Sequence, residues 1–119
     1  MSNWRRRGAR IYRWLTDRFS DRGQAMLLFR QGMAKAKAHD HQGAIDDYSA
    51  AIALPGLPPD VRAMALFNRA LVHVALKDDA KAISDLKMVL AMKESSTQVR
   101  TESTRSLVRI GRRAKKNPA

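Results

Sequence analysis

The segment GAIDDYSAAIAL (Gly43 to Leu54) returns later in the chain in altered spelling as KAISDLKMVLAM (Lys81 to Met92). With Ala44 set on Ala82, small, large and polar positions stay in phase. Ala44, Ile45, Tyr48, Ala51 and Leu54 stand over Ala82, Ile83, Leu86, Val89 and Met92. A pattern written twice at fixed spacing predicts two copies of one supersecondary unit, each with an apolar face that its neighbour buries. Apolar residues recur at helical spacing along almost the whole chain, so the unit is a pair of helices.

Caps and breakers set out about six helices. The first runs from about Asn3 to Phe19. The second follows Asp21, carries Met26, Leu27, Leu28 and Phe29, and ends near Ala38. Asp40 can cap a third, from about His41 to Leu54, because a short carboxylate accepts from the unpaired amides of a first turn. The prolines of LPGLPPD (Leu54 to Asp60) stop that helix and open a fourth through VRAMALFNRALVHVAL. Asp78 can cap a fifth with Ile83, Leu86, Val89 and Leu90 on one face. Ser95, Ser96 or Thr97 can cap a sixth, striped by Val99, Ser103, Leu107 and Ile110. There is no strand signal and no low-complexity tract. The expected fold class is all-α.

Gly32 and Ala70 precede Ala44 and Ala82 by twelve residues, and Leu28 and Leu66 lie four before those. In this spacing of small and large residues the chain resembles the tetratricopeptide repeat (TPR) family, whose unit is a helix-turn-helix of about 34 residues. The resemblance covers residues 25–92 as two repeats, about 25–58 and 63–96, with 97–113 as a solvent-capping helix. It implies an α-solenoid fragment over residues 23–113, between a basic amphipathic helix (1–22) and a basic tail (114–119). Four extra residues fall in the Pro-rich connection, where insertion costs least. Lys35 and His73 replace a frequent aromatic, His39 and Lys77 a frequent Gly, and Leu28 and Leu66 a Trp-type anchor. The closing Pro is displaced to Pro55. Two repeats are few for a stable array, so the first helix is expected to pack on them, or the chain to self-associate.

Charge divides the chain. Its formal charge is +12: residues 1–24 hold seven Arg against Asp17 and Asp21, residues 25–92 eight cations against seven Asp, and residues 93–119 eight cations against Glu94 and Glu102. Two basic ends thus flank a near-neutral middle, and such ends are drawn to anionic surfaces. Cysteine is absent, which excludes disulfides, thiolate nucleophiles and Cys-ligated metal. The apolar runs are too short to cross a bilayer, and the Arg-rich start lacks the apolar core of a secretory signal. A cytoplasmic location is expected, with a peripheral membrane location as the second choice.

In the family resembled, the first helix of each pair lines a concave, partner-binding face. By phase, that face carries Met26, Phe29, Met33 and Ala36 in one copy and Met64, Phe67, Leu71 and Val74 in the other. A strip with three Met suits varied apolar partners; the bland reading is that these residues are simply core. Asn68 in LFNRALVH resembles an Asn that helps hold a C-terminal carboxylate in chaperone-binding members. Phe29 and Met33 stand where that clamp needs Lys and Asn, and Gln98 and Glu102 where it needs a basic pair. Asn68 is therefore expected to bond a neighbouring backbone.

The segment WRRRGARIYRWLTDRF sets Trp4, Ile11, Leu15 and Phe19 near one helical face, with Trp14 close by, among Arg5, Arg6, Arg7, Arg10 and Arg13. Such an arm can dock on the Met-rich strip, lie on an acidic membrane or track nucleic acid. Enzymatic features are lacking. His39, His41 and His73 have no metal-ligand spacing, and adjacent Asp46 and Asp47 diverge by about 100° on a helix and read as a solvated face. The glycines form no phosphate loop. The expectation is a non-enzymatic adaptor, without cofactor, metal or small-molecule substrate, binding a partner helix or peptide in an apolar groove. The alternative is electrostatic binding of nucleic acid or acidic membrane through the Arg-rich termini.

Overall fold

The computed structural model describes residues 21–117. Within them lie five helices and no strand: α1 (residues 21–37), α2 (His41–Ala53), α3 (Pro59–Ala75), α4 (Asp79–Ala91) and α5 (Thr97–Lys116). The count is one fewer than the six or so expected, because the helix assigned to Asn3–Phe19 falls outside the described residues, as do the Arg-rich arm positions.

The written repeat is a structural one. α2 and α4 each span 13 residues, and the step from His41 to Asp79 at their starts equals the step from Ala44 to Ala82 in the sequence. The starts of α3 and α5, Pro59 and Thr97, stand the same interval apart. The turns after α1 and α3 are built alike. His39 and Lys77 both take left-handed backbone conformations (φ 62° and 60°), the terminating geometry that Gly adopts most cheaply. One residue on, Asp40 accepts from the Gly43 amide at 3.1 Å and Asp78 from the Lys81 amide at 3.3 Å. Each carboxylate satisfies a first-turn donor that the helix itself leaves unpaired. α3 opens on Pro59, whose missing amide costs nothing there. Ser96 caps α5, accepting from the Val99 amide at 3.2 Å.

An arginine fastens the far end of each second helix. Arg62 on α3 donates to the carbonyls of Ile52 and Leu54 at the C-terminus of α2, the latter at 3.2 Å. Arg100 on α5 is its counterpart one repeat interval later, and donates to Leu90 (3.1 Å) in the last turn of α4 and to Met92 and Ser95 (3.2 Å) beyond it. Each side chain places a cation at the negative end of a helix and satisfies its terminal carbonyls. By this register α5 begins as a third copy of the first helix. It then runs on to Lys116, so the tail expected from residue 114 starts as helix. Arg113, Lys115 and Lys116 complement its C-terminal dipole.

Two apolar cores meet at α3. The first gathers Ala25, Phe29, Ala44, Tyr48, Ala51, Leu57, Ala65 and Val72 from α1, α2, α3 and the proline loop. The second gathers Ala70, Ala82, Leu86 and Ile110, with Phe67, Val74, Ile83 and Leu107 against it. Among the described residues, α3 packs on α2, α4 and α5.

Candidate binding groove

Gly32 lets α1 close on Tyr48 of α2. A Cβ there would stand 2.7 Å from the Tyr48 ring, so the missing side chain lets Tyr48 sit tight under α1. Beside that contact, between α1 and α3, lies a hollow of ≈ 300 Å³ floored by His41, Tyr48 and Val72 and edged by Met33, Ala36, Asn68, Leu71 and Ala75. Met33 and Leu71 are 39% and 42% exposed at its rim. The Asn68 side chain lies beside Tyr48 at this hollow, and burial raises the Tyr48 pKa above its ordinary value against the opposing pull of Asn68. The Nδ1 of His41 is buried without a hydrogen-bond partner.

The strip read from the sequence is divided by the fold. Met33, Asn68 and Leu71 come together at the first hollow. Phe29 does not join them: it is 4% exposed and packs its ring 6.1 Å from that of Tyr48. Met26 is half-buried against the first core and Phe67 against the second. Met64 is exposed but lines neither hollow. Val74 and Leu71 border a second hollow of ≈ 400 Å³ between α3 and α5, whose other walls are Ser106, Ile110, Arg109, Arg112, Arg113 and Lys116. Leu71 is thus a ridge shared by both hollows. The sequence reading missed the second one, for which the recurrence of Arg62 at Arg100, in step with the repeat, was the available signal.

The opposite side of α3 carries a polar network. Arg69 grips Asp85 of α4 with two parallel bonds, Nε to Oδ2 at 2.8 Å and Nη2 to Oδ1 at 2.7 Å, and gives Nη1 to Ser49 of α2 at 3.0 Å. One guanidinium therefore ties three helices, with the planar fork that suits a carboxylate. His73 stands 3.9 Å from the same carboxylate. Burial lowers its pKa against the opposing pull of Asp85. In the first copy Lys35 and Asp47 occupy the matching positions as an ion pair 2.8 Å apart, and the Asp47 carboxylate raises the Lys35 pKa. Asp47 is thus a paired, largely buried carboxylate, whereas the sequence read it as solvated. Asp46 accepts from Gln42 at 2.9 Å. The ion pairs join helices, and Ser49, Arg69, His73 and Asp85 also line a third hollow of ≈ 320 Å³ with Ile45, Lys81 and Ser84. Among the described residues no group of three His, Cys, Asp or Glu could hold a metal ion, and no helix is long and apolar enough to cross a membrane.

Comparison with protein-family models, curated proteins and solved structures found no match.

Proposed function

We propose that this chain is a non-enzymatic protein-protein interaction module, tetratricopeptide-like in its repeat, that holds a helix or peptide of a partner against the hollow between α1 and α3. The supporting observation is the pair of exposed apolar side chains, Met33 and Leu71, at the rim of an open hollow lined by Tyr48 and Val72. Large apolar groups beside a preformed hollow mark a contact surface more often than an idle one. The test is peptide selection on the full chain from a displayed helical library. Recovered binders should be apolar on one face and lose at least about tenfold in affinity with Met33→Glu or Leu71→Glu, at unchanged helical circular dichroism. Binders indifferent to both substitutions would defeat the proposal.

The second reading, electrostatic binding of nucleic acid or acidic membrane, draws on α5, where seven Lys or Arg stand against Glu102. Binding that disappears at high salt and survives Met33→Glu favours it.

A further inference from the structure

The second hollow and the repeat register together indicate what kind of segment the groove selects. The positions that the sequence sets in one line recur at the repeat interval, and the fold brings Met33, Ala36, Leu71 and Val74 of them to the two hollows. Met26, Phe29, Met33 and Ala36 of α1 map onto Met64, Phe67, Leu71 and Val74 of α3, and these map onto Glu102, Arg105, Arg109 and Arg112 of α5. The same line of positions is therefore apolar in two copies and mainly cationic in the third. The fold makes the change continuous, because Leu71 and Val74 share one hollow of ≈ 400 Å³ with Arg109, Arg112, Arg113 and Lys116. Along α5, Arg105, Arg109, Arg112 and Lys116 lie four, three and four residues apart, one stripe about 17 Å long.

From this we infer that the groove takes a partner segment with two blocks, apolar residues at the α1–α3 end followed by a run of carboxylates at the α5 end. The inference rests on the adaptor reading and adds the partner's charge. Apolar side chains fill the hollow beside Met33 and Leu71, and the carboxylates meet guanidinium groups on an apolar floor, where part of the water is excluded and charge-assisted bonds gain strength. The arrangement differs from a terminal-carboxylate clamp in the family resembled, since Phe29, Met33, Gln98 and Glu102 occupy that clamp's places. Nucleic acid is the less favoured occupant because the hollow is walled by Leu71, Val74 and Ile110 and offers no aromatic ring on which a base could stack.

Fluorescence anisotropy on the full chain tests this with three labelled synthetic peptides. All carry leucines in their first half; the second half is glutamate, glutamine or lysine. The glutamate peptide should bind at least about tenfold tighter than the glutamine one at low salt, and the gap should narrow as salt rises. Arg109→Glu with Arg112→Glu, both exposed positions, should bring the two affinities together and improve the lysine peptide. Equal binding of glutamate and glutamine peptides, both lost in Leu71→Glu, would overturn the charge selection and leave the adaptor reading standing. Failure of all three peptides to bind would sink both. A single-stranded oligonucleotide that binds tighter than the glutamate peptide, through the same two arginines, would reassign the stripe to nucleic acid.

Discussion

Gly32 and Ala70 serve one task against unequal neighbours. Each sits where the two helices of a copy cross, and each faces the same repeat position, Tyr48 in the first copy and Leu86 in the second. The smaller residue is paired with the larger one, so volume is traded across the contact. Gly32→Ala would gain up to about 1 kcal/mol of helix propensity and lose about 1–3 kcal/mol to overpacking, a net destabilisation. Tyr48→Leu alone should also destabilise, by leaving space over Gly32. The double substitution rebuilds the Ala70–Leu86 pair and should cost less than the two singles together. Urea melts of the four proteins give the coupling, and additivity within about 0.5 kcal/mol would show that no such volume trade exists. The same substitution logic runs through the polar side of the repeat: Lys35 with Asp47 becomes His73 with Asp85, and the second carboxylate recruits Arg69 as well. A solvent-leaning lysine keeps its charge, whereas buried His73 is held toward its neutral form and the guanidinium supplies the cation.

At the level of elements, the caps were legible and the fasteners were not. Asp40 and Asp78 announce helix starts because a capping carboxylate acts on amides two or three residues away, a distance written in the sequence. His39 and Lys77 gave notice only through the family resemblance, as the places of a frequent Gly; their own side chains write no such distance into the sequence. Arg62 and Arg100 reach back eight to ten residues to the preceding helix end, and only the packing of one pair on the next decides what a long side chain meets. The same holds for Arg69 and Asp85, sixteen residues apart. Arg100 should therefore be worth more than its charge. Arg100→Lys keeps the cation at the helix end but replaces a fork that reaches three carbonyls with a single ammonium. It should lose most of the stability lost by Arg100→Ala, itself about 1–3 kcal/mol for bonds from a charged donor. Arg62→Lys should follow in the same direction, as the repeat demands. Full stability in both lysine variants would mean that helix-end charge alone is what these positions supply.

Across the molecule, two cores share one helix. Phe29 and Tyr48 belong to the first, Leu86 and Ile110 to the second, and α3 contributes Ala65 and Val72 to one and Ala70 to the other. Among helices α2 to α5, α2 packs on α3 and has no packing contact with α5, so along these four helices stress applied at α5 reaches α2 through α3. A chain joined in this nearest-neighbour way opens in parts, from the end where fewest contacts must be broken. Ile110→Ala removes a buried side chain from the α5 end, at a local cost of about 2–5 kcal/mol. In native-state hydrogen exchange it should strip protection from α4 amides such as Leu86 and Val89 well before those of Tyr48 and Ala51 in α2. Phe29→Ala should reverse the order, exposing α2 first and sparing α4. Equal losses in both helices from either variant would make the molecule a single cooperative unit, with its two clusters a division of geometry alone. Unequal losses carry a consequence for binding. The cationic hollow depends on α5 staying docked, while the hollow at Met33 depends on α1, α2 and α3, so the acidic and apolar ends of a bound segment would be released at different denaturant concentrations.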